Sequence, residues 1–132
     1  METKRLAAKR DDVAPDGSDV RLLLQVNGGG LAHFELAPDQ TSVALVHRSV
    51  EEIWFFLHGR GEMWRRQDDR EEIVEVGPDV CVTIPVGTEF QLRSFGFEAL
   101  SALGATIPPR PGESEASAVR GPWRSTVEPG PV

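Results

Sequence analysis

Val43 to Arg65, VALVHRSVEEIWFFLHGRGEMWR, decides how the rest of the chain is read. Its first part alternates with the period of a strand: Val43, Leu45 and His47 on one face, Ala44, Val46 and Arg48 on the other. Glu52 to His58 is largely apolar at both parities, and such a strand is expected to be buried on both sides. Gly59-Arg60-Gly61 follows, a pair of glycines suited to positive φ in a hairpin. His47 and Glu52 lie five residues apart on what read as neighbouring strands, and the pattern predicts that they converge on one site.

Working outward, the same short strands recur on both sides. Val20–Val26, Leu31–Leu36, Glu62–Arg66, Arg70–Val76, Val80–Ile84, Glu89–Ser94 and Glu98–Thr106 are each bounded by Gly, Pro, Asn or Asp. Asn27-Gly28-Gly29-Gly30, Gln67-Asp68-Asp69 and Gly77-Pro78-Asp79 are the clearest turns. Regularly spaced strands with no amphipathic helix indicate an all-β sandwich or barrel. Residues 20–106 form this barrel in the present reading. Residues 1–19 lack apolar periodicity and are expected as a flexible arm. Residues 107–132 are rich in Pro, Gly and Ser. They are expected as a tail, either partly disordered or anchored through Trp123 on the barrel or on a partner subunit.

With 132 residues the chain is one domain, long enough to bury a core without disulfides. Its single cysteine, Cys81, lies in the apolar run VCVTIP and is expected as a buried, inert thiol. A formal net charge of −7 and the lack of a basic stripe argue against a nucleic-acid partner. No apolar run approaches the roughly 20 residues of a membrane span, and the charged N-terminal stretch has no signal-peptide core. A cytoplasmic protein without membrane contact is the expectation.

The spacing around His47 resembles the first signature of the cupin superfamily: H-x-H, three or four residues, Glu, six residues, Gly. The residues IWFFLH separate Glu52 from Gly59, and four residues separate His47 from Glu52. The first His position of the signature is Leu45. The resemblance covers Val20 to Thr106 and implies a single-domain, RmlC-like jelly-roll β-barrel or sandwich, commonly a homodimer. Ile53, Phe55 and Leu57, apolar on what is then the outer barrel face, suit such a subunit contact.

The second cupin signature is incomplete. Pro85-Val86-Gly87 supplies its P-x-G, while Asp79 stands in place of its leading Gly. In strict register the last metal position is Phe90 and the Asn position is Ser94. A one-residue shift places Glu89 there instead, with Gln91 and Arg93 on the inner face. The two registers exclude each other, because a single-residue slip turns every side chain over.

By the resemblance, a divalent metal is held by three His and one Glu. His47 and Glu52, with Glu89 in the shifted register, are the ligands on offer for one Mn, Fe, Ni or Zn ion, and no organic cofactor is expected. Without metal, His47 and Glu52 form a general acid/base pair, the carboxylate orienting the imidazole. Trp54 and Phe56, at period two from Glu52, and Trp64 on the next strand are candidates to line a pocket for a small polar organic molecule, together with Gln91 and Arg93. His33 is expected at the surface beside Glu35, and His58 in solvent. The functional expectation is a small-molecule-binding enzyme of isomerase, cyclase or lyase type. The alternatives are a non-catalytic ligand-binding module and an assembly protein that uses its outer face.

Overall fold

Alternation in the sequence becomes two antiparallel sheets facing each other across one core. The computed structural model describes residues 1–112 and 114–131, so the expected tail is seen without its residues 113 and 132. Eleven strands are present among the described residues: β1 (Asp12–Val13), β2 (Asp19–Val26), β3 (Gly29–Leu36), β4 (Leu45–His47), β5 (Glu51–His58), β6 (Arg60–Gln67), β7 (Arg70–Val76), β8 (Cys81–Ile84), β9 (Glu89–Phe95), β10 (Leu100–Ile107) and β11 (Ala116–Ala118). The first sheet has the order β1-β2-β3-β10-β5-β8 and the second β11-β4-β9-β6-β7. Together they make the all-β jelly roll. No helix among the described residues is long and apolar enough to cross a membrane.

The inner faces supply the core, including Leu36, Trp54, Phe56, Met63, Ile84, Phe90, Leu92 and Leu100. On β5 the inward set is Glu52, Trp54 and Phe56. The expected burial of both faces is corrected: Ile53 and Phe55 stay 45% and 42% exposed, because no described segment of the chain packs over them. Cys81 is likewise exposed rather than buried. On β8 it shares the outward parity with Thr83, while Val82 and Ile84 turn inward.

The Gly59 turn is also not a hairpin. β5 belongs to the first sheet and β6 to the second, and Gly59 alone separates them. Its φ is +80°, and a Cβ there would lie 2.4 Å from the carbonyl oxygen of Ala99. Glycine is therefore required twice over, by conformation and by space. The next connection, β6–β7, is a hairpin, with Asp68 at φ +56° in its tip.

Both chain ends join the barrel. Asp12 and Val13 pair with Val20 and Asp19, and Ala14, Asp16 and Ser18 are buried. The expected arm of residues 1–19 thus contains a strand and a closed turn from Asp12 onward, in which the Ser18 N–H and hydroxyl both donate to Asp16 Oδ1. At the other end β11 pairs with β4, and Arg93 lies 4.2 Å over the Trp123 ring.

Gly61 reports on how closely the sheets approach their own corner. A Cβ there would sit 2.1 Å from the Arg93 carbonyl oxygen across the β6–β9 ladder. Gly61→Ala is expected to lower stability by about 2 kcal/mol or more, read as a reduced urea midpoint.

Candidate functional site

β4 ends at His47 in the second sheet, and β5 brings Glu52 in the first. Arg48, Ser49, Val50 and Glu51 carry the chain across. The crossing turns both polar side chains into the space between the sheets. His47 Nε2 lies 3.1 Å from Glu52 Oε1, and both residues are buried. Thr106, the register partner of Glu52 on β10, donates its hydroxyl to Glu52 Oε2 at 2.7 Å. The imidazole stacks on Phe90, ring centroids 5.7 Å apart.

A second carboxylate stands behind the ring. Glu115 Oε2 is 3.9 Å from His47 Nδ1. Glu115 accepts the backbone N–H of Ser49 at 2.8 Å, that of Val50 at 3.4 Å, and the Ser49 hydroxyl. Its own carbonyl accepts the Arg48 N–H at 2.8 Å. Burial pushes the Glu115 carboxyl up, but these hydrogen bonds outweigh it and hold the group below its ordinary value. Asp16, also buried, goes the other way. Desolvation raises it, against the opposing bonds from Ser18.

His47, Glu52 and Thr106 border a cavity of about 240 Å³. Its walls are apolar, with Val20, Leu22 and Leu24 from β2 and Phe34 from β3. The register of β2 against β3 shifts between Leu22 and Gln25, next to this cavity. Phe34 stacks nearly parallel on Trp54 at 4.9 Å, so Trp54 backs the wall. Arg110 enters the lining from the segment that follows β10.

The structure brings together only part of the expected residue set. Trp54 and Phe56 lie in the core beside the cavity, not at its surface. Trp64 is on the outward parity of β6, opposite Gln91, where its Nε1 donates to Glu71 and Arg66 covers its ring. Gln91 and Arg93 also leave the pocket. Gln91 donates to the carbonyls of Ser42 and Trp123 and accepts the Trp123 N–H, while Arg93 pairs with Glu62. Glu89 turns outward to Arg66 at 2.5 Å, and Phe90 is buried opposite Leu45. The strict register therefore holds, since burying Phe90 and Leu92 avoids desolvating a carboxylate in the core. His33, expected at the surface, is buried but does not border the cavity. Desolvation first, then nearby Arg21, lowers its pKa. His58 is exposed near Glu98.

With Glu89 turned away, the expected metal ligands do not assemble. Among the described residues no group of three or more His, Cys, Asp or Glu side chains is placed to hold a metal ion. Of the three expected ligands, His47 and Glu52 lie together, 3.1 Å apart. Sequence reasoning missed Thr106, Arg110, Glu115 and Asp16. Only Thr106 carried a signal, as the end of a strand; the others sit in segments without periodicity.

No family model matches the chain, and no curated protein matches it by sequence. Solved structures do match. The Streptomyces protein Pac13, described as a nucleoside dehydratase and solved with uridine, is 13% identical over 90% of this chain and 92% of its own, with a TM-score of 0.68. A predicted oxalate decarboxylase from Thermotoga maritima is 15% identical over 80% of this chain and 99% of its own, with a TM-score of 0.66. A Klebsiella pneumoniae protein with a double-stranded β-helix domain is 15% identical over 83% of this chain and 91% of its own, with a TM-score of 0.64. At these identities the likeness is one of fold, and the fold is the jelly roll that the cupin resemblance implies.

The depressed Glu115 carboxyl gives a signed pH dependence. Its contribution to stability is fully present above the ordinary glutamate value of 4.5 and is lost as pH falls through the lower folded-state value. Glu115→Ala is expected to cost roughly 2–4 kcal/mol at pH 7 by orphaning the corner donors. The gap to wild type should narrow under acid, as measured by urea melts from pH 7 to pH 3.

Proposed function

We propose that the chain is a small-molecule enzyme of the isomerase, cyclase or lyase type that moves protons with His47 and Glu52 and routes no step through a metal. The observation that carries this reading is the 3.1 Å contact of His47 Nε2 with Glu52 Oε1, set beside a largely apolar cavity. The pair sets an imidazole and a carboxylate side by side, the two kinds of group that carry general acid and base work. Thr106 fixes the far oxygen of the carboxylate. The apolar walls limit competing water and strengthen the local field.

The chemistry this supports starts from a carbon acid. The deprotonated member of the pair takes a proton from the carbon beside a carbonyl. The C–H electrons move into the adjacent C–C bond as the carbonyl oxygen gains charge. The protonated member then returns the proton, either to the former carbonyl carbon of an enediolate while the adjacent hydroxyl's proton passes to the other oxygen, giving an isomer, or to a hydroxyl leaving the next carbon as the enolate electrons re-form the carbonyl, giving water and an unsaturated product. The electron count closes without an external oxidant. Pac13, a dehydratase by its description, gives this class a precedent on the same fold.

Proton NMR in D₂O tests the reading on a defined panel of aldoses, α-hydroxy ketones and uridine. Wild type is expected to wash deuterium into at least one C–H beside a carbonyl. His47→Ala and Glu52→Gln are each expected to slow that exchange about 100-fold or more. Exchange that is absent throughout, or unchanged in the variants, overturns the proposal. Saturable binding of a panel member without exchange would establish the ligand-binding module instead. That alternative is favoured by Leu45 and Phe90, core residues at two positions where the cupin pattern has ligands.

The outer face of the first sheet supports a homodimer. Leu31, Ile53 and Phe55 remain exposed there, and Leu103 and Ala105 pair between them on β10. A contiguous apolar patch of this kind favours self-association. The double variant Ile53→Asp, Phe55→Asp is expected to be monomeric by sedimentation equilibrium where wild type is dimeric. A monomeric wild type removes the dimer.

A further inference from the structure

Among the described residues Arg110 is the one arginine or lysine that borders the His47–Glu52 cavity, and the site as described leaves it without work. The segment after β10 brings it there, opposite an apolar wall of Val20, Leu22, Leu24 and Phe34. Its Nη2 is buried and has no hydrogen-bond partner among the described residues. Among the described residues it forms no ion pair, although Glu52, Glu115 and Asp16 all lie close enough to act on it electrostatically. Each of these carboxylates is engaged elsewhere. Glu52 holds His47 and Thr106, Glu115 holds the Ser49–Val50 corner, and Asp16 holds Ser18. A guanidinium stays charged at any ordinary pH, and a buried N–H without an acceptor is costly. The bland account, a surface arginine resting its stem on the barrel, does not explain why its donor is buried inside the cavity lining.

We propose that Arg110 is a ligand-binding residue that receives an oxyanion of the substrate, and that the substrate is a small organic anion. Its apolar or aromatic body lies on Phe34 and the β2 leucines, its carboxylate or phosphate meets the guanidinium, and its reacting carbon faces His47 and Glu52. Guanidinium geometry suits both oxyanions, since two parallel N–H groups match two oxygens. A cavity of about 240 Å³ limits the body to a single ring or a short chain. This inference rests on the proton-transfer reading for the position of the reacting end, but not for the anion preference itself.

The test is a binding comparison that needs no turnover. Isothermal titration with 3-phenylpropionate, phenyl phosphate and the neutral 3-phenylpropionamide separates charge from shape. Wild type is expected to bind one of the two anions at least about tenfold more tightly than the amide, the range that charge-assisted hydrogen bonds support. The better anion identifies the oxyanion. Arg110→Gln is expected to bring that ratio close to one, and Arg110→Lys to restore part of it, with thermal melts confirming that both variants fold. His47→Ala should keep the anion preference, which separates this proposal from the catalytic one. Equal binding of anions and amide to wild type, an anion preference unchanged in Arg110→Gln, or no binding of any probe at millimolar concentration would each overturn it.

Discussion

Everything in this molecule depends on one corner. Between His47 and Glu52 the chain must leave one sheet and enter the other, and it must do so with two polar side chains pointing into an apolar sandwich. Buried charge is tolerated only when it is paired and hydrogen-bonded. His47 and Glu52 pair with each other, and Thr106 takes the remaining carboxylate oxygen. The corner backbone has the same need, because a buried N–H without a partner costs as much as a lost hydrogen bond. Glu115 meets it at Ser49 and Val50. The C-terminal segment is therefore part of the corner, and β11 runs along β4 because that pairing delivers Glu115 to it.

A similar economy governs β9. Phe90 and Leu92 enter the core, yet Gln91 and Ser94 are also buried, on the opposite parity or at the strand end. A strand covered on both sides has no solvent face to reveal its register. What covers the outer side here is the chain's own tail, held by Gln91 on the backbone of Trp123 and by Arg93 over its ring. Polar residues that look like pocket residues in the sequence are the tail's anchor. Gly121 fits that contact closely, since a Cβ there would lie 2.2 Å from Gln91 Oε1.

These two features explain what was legible beforehand. Nine strands could be read to within a few residues, because apolar alternation and turn chemistry are local properties. The His47–Glu52 pairing could be read too, because its spacing sets the geometry of a single corner. Sheet membership could not: Gly59 carries the same signal whether it closes a hairpin or switches sheets. Burial on outer faces failed in both directions. Phe55 and Cys81 look like core and are exposed, while His33 looks like surface and is buried, since outer-face cover comes from segments with no periodicity. Arg110 and Glu115 belong to such a segment, and only three-dimensional placement gives them meaning.

The same corner bears on the metal ligands that the cupin pattern leads one to expect. A divalent ion needs several donors converging on a point with their lone pairs free. At two of those positions this chain has Leu45 and Phe90, which pair across the second sheet and bury apolar surface. With apolar side chains at those positions, His47 and Glu52 lie in mutual contact between the sheets. Phe90 then serves a second purpose, for its ring stacks on the imidazole and fixes its plane. The residue at a cupin ligand position thus stacks on the imidazole beside it and holds its orientation.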